Sequence, residues 1–444
     1  MAVEVQPVPG SKVYPRWVGP SLIIGLALVL VVLWYRQRPD GIGDVRFAGE
    51  LIGVEIVTLL CWALVLMTLL PLVERVFGGL DRMTVWHRRV AVVAVILIPV
   101  HLILISTQED PDASTIGNAL GYIALFGLVI LILWAILPTL IRLRLKVPHR
   151  LRDVAQRGFH QWMSWHRFIG LFVIAAMLHG IFVDQVLREA SSLRWIFVAI
   201  CAVGVAAYGY RELWLQPRLR NFSYTVSETR HLDSSVAEVT LAPAAEAITF
   251  TPGQFLFIGF NGFDEGRKHP FTISSGAGEP HLRLSIANAG DFTRDVYQQM
   301  TPGVTAKIVG PFGQFDYTDG GANQIWAAGG IGVTPFISWI RSFPAKLTRS
   351  IDFFYSVRTR ADAIFLDEMQ AAAAAHDSFT LHLHCSDTDG FLTATEITAV
   401  VKDPGTTWAY MCGPLPMVTA FKDGLHAQGV PNRNIIWEHF TSIR

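Results

Sequence analysis

Charge is scarce in this chain: of 444 residues only 16% are Asp, Glu, Lys or Arg, while 51% are hydrophobic. A chain of this size that sat wholly in water would need more polar surface, so a part lodged in lipid is the first inference. The charge present cancels, with Lys+Arg and Asp+Glu both at 36. That lacks the basic surplus of a nucleic-acid binder, and no nucleic-acid partner is expected. Cysteine is scarcer still. Cys61, Cys201, Cys385 and Cys412 show no C-x-x-C spacing, which excludes a disulfide framework, a thiolate zinc or iron-sulfur site, and covalent c-type haem. The apolar run from Val18 to Tyr35 lacks an A-x-A-like cleavage site and ends in the interfacial cluster Trp34, Tyr35, Arg36. It therefore reads as a retained first span. An EF-hand loop and a proline-rich docking segment are also missing, and residues 1–17 form only a short tail. Activity without an obligatory activator is the expectation.

What is there begins with apolar stretches at 18–35, 51–73, 88–105, 117–138, 162–183 and 193–208. Each approaches the roughly 20 residues that cross a bilayer core. Six spans put both termini on one side. The 139–161 loop carries Arg142, Arg144, Lys146, Arg150, Arg152 and Arg157 against Asp153 alone, whereas the loop after the third span carries Glu109, Asp110 and Asp112. By the positive-inside rule the first loop is cytoplasmic and the second external. Both termini are then cytoplasmic, and the expected location is a bacterial inner membrane, with membrane lipid as surroundings.

After about residue 217 the pattern changes. Short alternating runs such as Phe255–Ile258 and Leu282–Ile286 read as antiparallel strands, and from about 323 strands alternate with helices. The expected architecture is a membrane all-α six-helix bundle (18–210), a cytoplasmic β-barrel domain (217–318) and an α/β parallel-sheet nucleotide-binding domain (319–444).

Ligating residues inside spans are costly and are functional candidates by default. His87 and His101 fall in the third span and His166 and His179 in the fifth, with Trp86-His87-Arg88 and Trp165-His166-Arg167 each expected to open a helix. Spacings of 14 and 13 residues separate the ligands by about 20 Å along each axis. Two stacked haems fit, held by His87 with His166 on the cytoplasmic side and His101 with His179 on the external side. Arg88 and Arg167 are placed to meet the propionates of the inner haem. Thirteen steps do not return to one face, so the fifth helix needs an irregularity, expected at Gly170. His149 and His160 read as interfacial. Glu55 and Asp184 either snorkel or supply protons or attract a metal ion near the outer haem, and the first reading is favoured.

Three motifs follow in order. His269-Pro270-Phe271-Thr272-Ile273-Ser274-Ser275 is a strand edge whose aromatic suits a flat ring. In Gly290-Asp291-Phe292-Thr293 a turn opens a helix whose amides suit a pyrophosphate. Ala328-Gly329-Gly330-Ile331-Gly332-Val333-Thr334-Pro335 is a glycine turn that admits a second dinucleotide's phosphates, although it is not the G-x-G-x-x-G fingerprint. Tyr355-Ser356-Val357-Arg358 and Cys412-Gly413-Pro414 close two later strands, where open α/β sheets bind ligands.

On these motifs and the paired histidines, the chain resembles the NADPH oxidase and ferric reductase superfamily, a ferric-reductase-like membrane domain fused to a ferredoxin-NADP reductase module. The resemblance implies FAD at His269, Pro270, Phe271 and Thr272, with Ser274 and Ser275 nearby and Gly290 and Thr293 on its pyrophosphate. It implies NADPH at Gly329, Gly330, Gly332, Thr334 and Pro335, with Cys412, Gly413 and Pro414 beside the nicotinamide. Phe440 resembles the aromatic that family C-termini place against the flavin, although four residues follow it here. Ser356 and Arg358 stand where a 2′-phosphate is read, which favours NADPH over NADH.

The expected cofactors are FAD, two haem b and NADPH, with NADH the alternative. A haem with two axial histidines donates electrons without binding its acceptor. Dioxygen giving superoxide comes first, a ferric chelate or other metal second, and a quinone or extracytoplasmic protein third. A proton or ion channel with a fused sensor domain leaves the four paired histidines unexplained.

Overall fold

The computed structural model describes residues 17–107, 114–142, 165–215, 221–401 and 403–438, without the side chains of 71, 80, 81 and 132–142. Most of the basic loop with His149 and His160, the acidic residues Glu109, Asp110 and Asp112, and Phe440 lie outside the described residues. The chain divides into two compact units at Leu219 and Arg220.

The first unit is helical. By length and composition, Val18–Arg36, Asp44–Val65, Arg82–Ser106 (part of the helix Leu80–Ser106) and Ser191–Leu215 suffice to cross a membrane, with mean hydropathy between 1.6 and 2.4. The apolar helix Ile169–Val183 has 15 residues, about 22 Å of rise. Thr115–Arg142 is helical over 28 residues. So among the described residues four of the six expected spans meet length and composition together, and Thr115–Arg142 meets the length. Large apolar side chains such as Leu28, Ile96, Ile103, Phe126 and Val203 point outward, while Leu30, Trp34, Val54, Leu60, Ala94, Val173, Met177 and Phe197 close the interior. Helices apolar on every side belong in a surrounding that is itself apolar.

Several boundaries differ from expectation. The second helix begins at Asp44 and ends at Val65, where 51–73 was expected. Arg46 and Glu50 lie one turn apart in an ion pair of 2.9 Å, so this stretch tolerates charges that a hydropathy reading rejects. The stretch near 72–87, expected as a loop, holds the helix Pro71–Phe77 and the start of Leu80–Ser106. Proline disfavours helical backbone at the residue before it, so Pro71 at the first turn starts a new helix. His87 consequently lies two turns inside its helix instead of opening it. In the fifth segment the irregularity precedes Gly170: Trp165 and His166 are helical, Arg167 and Phe168 form a turn, and the helix resumes at Ile169. Gly170 has a packing role, since a Cβ there would lie 2.4 Å from the Tyr208 ring.

The second unit contains two sheets. Strands β1 (Phe222–His231), β2 (Val236–Pro243), β3 (Phe255–Phe260), β4 (His269–Thr272), β5 (Leu282–Ala287) and β6 (Thr305–Phe312) form an antiparallel sheet in the order β4-β3-β6-β1-β2-β5. A bridge between Ile273 and Leu284 joins its two edges, so the sheet is a nearly closed barrel. Strands β7 (Asn323–Gly329), β8 (Ser350–Val357), β9 (Phe379–Cys385), β10 (Trp408–Cys412) and β11 (Ile435–Glu438) form a parallel sheet in the order β11-β10-β7-β8-β9. Side-chain alternation accounts for its two covered faces. In β8, Ile351, Phe353, Tyr355 and Val357 join the core built on Trp326, Phe336 and Trp339, while Phe354 joins the opposite core with Ile397, Met411 and Phe421.

Candidate functional site

The first two motifs meet at the barrel rim. β4 runs antiparallel to β3, with Thr272 opposite Phe255 and Pro270 opposite Phe257. The helix Asp291–Gln299 starts after Gly290, which has no side chain to cap its first turn. Those amides stay available to an anion. The Thr293 hydroxyl is used internally, accepting from the amides of Ala289 and Gly290 at 2.9 Å each. Phe292 joins the motifs: its ring stacks on His269 at 3.9 Å between centroids and faces Phe271 at 6.2 Å. Ser274 and Ser275, expected near the cofactor, are fully buried. Their carbonyls are part of the seam between barrel and parallel sheet. The Ser274 carbonyl accepts from Arg341 Nη1 at 2.7 Å, and the Ser275 carbonyl accepts from the Ser338 hydroxyl at 2.7 Å. Ile273, also buried, carries the bridge that closes the barrel.

The third motif follows β7. Gly330 has a left-handed φ of 52° and open space where a Cβ would stand. At Gly332 a Cβ would fall 2.4 Å from the Cys412 carbonyl oxygen, and at Gly329 it would fall 2.6 Å from Met417 Sδ. These glycines thus let the turn after β7 close against the turn after β10, bringing the phosphate-binding candidates to Cys412, Gly413 and Pro414. Thr334 is buried and donates its hydroxyl to the Ile331 carbonyl at 3.1 Å, and Pro335 starts the following helix. Ser356 is the penultimate residue of β8 and the exposed Arg358 follows the strand. Cys412 is buried in register with Ala328 and Glu438. Burial, with the Glu438 carboxylate adding to it, pushes its thiol well above the ordinary 9.0. Cys412 is therefore a buried packing neighbour of the site.

In the helical unit the histidines come together as two pairs. The His87 and His166 rings lie 6.3 Å apart, nearly perpendicular. His101 and His179 line one largely apolar cavity of about 300 Å³ with Val57, Leu125, Leu128 and Phe197. Backbone carbonyls accept only, so three Nδ1–H groups are donors: His87 to Ala63 at 2.9 Å, His101 to Gly49 at 2.8 Å and His179 to Gly117 at 2.8 Å. Each leaves Nε2 with its lone pair. That is the tautomer of a histidine that ligates metal. A Cβ on Gly53 would come within 2.9 Å of the His101 ring and one on Gly121 within 2.7 Å of the His179 ring. The missing side chains seat both imidazoles. Among the described residues no three His, Cys, Asp or Glu side chains group around one ion, whereas a haem iron needs only two protein ligands. The donor set is chemically compatible with such a group.

Other placements differ from expectation. Arg167 pairs with Glu212 at 2.7 Å, and Arg88 is exposed. Glu55 Oε1 is buried with no hydrogen-bond partner. Asp184 accepts from the Leu187 amide at 2.9 Å and so caps the helix Gln185–Glu189. The sequence reading missed Arg46 and Glu50, which line the same cavity as His101 and His179. Their spacing of four was the available signal. It also missed Glu438, and Arg341, whose guanidinium is shared by Glu238 at 3.2 Å and Glu368 at 2.7 Å. Burial alone would lower the Arg341 pKa, but these carboxylates raise it, so the cation is locked at the seam.

Two domain families match the second unit: an FAD-binding domain over residues 221–320 and an oxidoreductase NAD-binding domain over residues 327–423. The chain is 26% identical over 54% of its length to a propane 2-monooxygenase reductase component from Rhodococcus jostii, spanning 70% of that protein. It is 30% identical over 44% of its length to the Mycolicibacterium smegmatis reductase component of the same name, spanning 60% of it. To a glycine betaine monooxygenase reductase subunit from Chromohalobacter salexigens it is 27% identical over 40% of its length, spanning 53%. Among solved structures, the FAD/NAD-binding domain of a Vibrio cholerae nitric oxide dioxygenase superposes with a TM-score of 0.45 at 20% identity, covering 50% of this chain and 99% of that one. On the two domain matches, residues 221–320 and 327–423 form a ferredoxin-NADP reductase-type FAD/NAD(P)H module. The chain is an oxidoreductase, a flavoprotein that takes electrons from NAD(P)H.

Proposed function

We propose that this chain is a membrane-spanning oxidoreductase that moves electrons from cytoplasmic NADPH, through FAD and two b-type haems, to an acceptor on the external face. The observation that carries the reading is the set of half-buried histidines in two pairs, three of them with Nδ1–H tied to a carbonyl and Nε2 left for iron. FAD, when bound, converts a two-electron hydride into single electrons, and each bis-histidine haem relays one electron at a time.

The chain's own residues supply position and insulation. Gly329, Gly330 and Gly332 admit the dinucleotide's phosphates at the end of β7, and Arg358 selects a 2′-phosphate. His269, Phe271 and Phe292 form the aromatic seat of the flavin, and the uncapped first turn after Gly290 receives its pyrophosphate. His87 with His166 would hold the inner haem, and His101 with His179 would hold the outer one. Val57, Leu125, Leu128 and Phe197 keep the outer cavity apolar. A haem held by two histidines would donate electrons without binding the acceptor. Dioxygen, leaving as superoxide, is the preferred acceptor, and a ferric chelate is the second. No obligatory activator is expected. The proposed location is a bacterial inner membrane, with six spans and both termini cytoplasmic.

A second reading follows from the named relatives, which are reductase components of monooxygenase systems. On it the flavin passes its electrons to a protein partner. Proteoliposomes supplied with NADPH outside and cytochrome c inside decide between them. Superoxide-dismutase-sensitive reduction of the enclosed cytochrome supports transmembrane transfer to dioxygen. Reduction that requires an added iron-sulfur or oxygenase partner in the NADPH compartment supports the second.

A further inference from the structure

A turn outside the flavin motifs holds them together. Asp264 and Glu265, between β3 and β4, both have left-handed backbone, with φ of 41° and 55°. Residues other than glycine stay there only where the surroundings compensate. Asp264 uses both carboxylate oxygens: Oδ1 accepts from Arg267 Nη1 at 3.0 Å and Oδ2 from His269 Nε2 at 2.8 Å. His269 opens β4, and its ring lies parallel to that of Phe292, with centroids 3.9 Å apart and 14° between planes. Phe292 stands in the first turn of the helix Asp291–Gln299, whose amides are the pyrophosphate seat. A line of contacts from Asp264 through His269 to Phe292 therefore spans the two segments that must grip one FAD.

We propose that Asp264 is the positioning residue of the FAD site: its carboxylate fixes the His269 ring against Phe292 and sets the distance between β4 and the pyrophosphate-binding helix before FAD arrives. Without that contact the imidazole regains rotamer freedom, and FAD binding must then order it, which costs affinity. In this left-handed turn the Asp264 carboxylate reaches His269 Nε2. The inference rests on FAD binding by the reductase module and is independent of the haems and of the acceptor.

The test is the FAD dissociation constant of the full chain, stripped of flavin and titrated calorimetrically, with the visible band of bound FAD as a second readout. Asp264→Ala should raise the constant about tenfold, the scale of one lost charge-assisted hydrogen bond. His269→Ala should act similarly, and the double variant should be no weaker than the weaker single one, because both remove the same contact. Asp264→Asn keeps an acceptor for Nε2–H and should stay within about threefold of wild type. Glu265→Gly relieves the neighbouring strain without touching His269 and should leave the constant within about twofold. Additive losses in the double variant, wild-type affinity in Asp264→Ala, or an equal loss in Glu265→Gly would each overturn the proposal. If Asp264→Ala fails to fold, the cycle is completed with Asp264→Gly, which removes the carboxylate and suits the left-handed backbone, together with His269→Ala and their combination, where additivity has the same meaning. A wild-type chain that takes up no FAD would refute the flavin assignment itself, and this inference with it.

Discussion

The helical unit and the reductase module encode their chemistry differently. In the module, the binding positions are backbone turns: Gly330 and Gly332 after β7, Gly290 before a helix, Gly413 after β10. The turns at Gly330, Gly332 and Gly413 are legible because few residue types fit them, and the order of the motifs along the chain is itself information. In the helical unit, by contrast, the candidate chemistry rests on four imidazoles in a background whose composition states only that it is apolar. There a second set of contacts, the carbonyls of Gly49, Ala63 and Gly117, separates ligand candidates from ordinary buried histidines. No sequence motif records which carbonyl a ring will meet.

Four experiments would break or sharpen this contrast. The largest effect is expected from His101→Ala or His179→Ala, each of which should remove one of two haems while leaving NADPH-driven flavin reduction intact. Haem content per chain, measured after extraction, should fall by about half, since loss of an axial ligand empties one site. Equal haem in variant and wild type would show that the outer pair is structural. Next, Gly332→Ala forces a methyl to 2.4 Å from the Cys412 carbonyl oxygen. It should cost about 1–3 kcal/mol of module stability and raise the NADPH Michaelis constant; an unchanged melting temperature would mean that the turn relaxes freely.

A smaller effect is expected at Arg358. Arg358→Ala should raise the NADPH Michaelis constant about tenfold, the scale of one charge-assisted hydrogen bond, and spare NADH. Equal effects on both coenzymes would remove Arg358 from the 2′-phosphate. The smallest concerns pH. Burial raises the Cys412 thiol above 9.0, so above that pH the unfolded chain releases a proton that the folded chain keeps. Stability attributable to this group is complete below pH 9 and falls as pH climbs beyond it. Cys412→Ala should flatten that decline in the melting temperature, and an identical alkaline slope would contradict the burial argument.

The strands were legible where alternation or glycine marked them. Phe255–Ile258 and Leu282–Ile286 fall inside observed strands, and the strands expected from about 323 are the parallel sheet that begins at Asn323. The closure of the barrel through Ile273 and Leu284 was not legible, because pairing between sheet edges depends on the whole sheet's curvature. Helix ends in the first unit were read poorly for a related reason. A hydropathy scan counts Arg46 and Glu50 as polar, whereas their ion pair lets Asp44–Val65 keep them inside a helix. Ser274 and Ser275 illustrate a further limit: the motif text marks them as cofactor neighbours, and only tertiary packing shows that their carbonyls also hold the seam with Arg341 and Ser338. Asp264 lies outside every motif, and only the folded turn brings it to His269.

The most direct measurement is the reduced-minus-oxidised absorption spectrum of the purified full-length protein, with haem quantified per chain. The expected result is the sharp split-band pattern of a low-spin b-type haem, two per chain, developed by NADPH as well as by dithionite. A flavin signal alone, with no haem in the detergent-solubilised protein, would contradict the transmembrane electron path and leave only the reductase module.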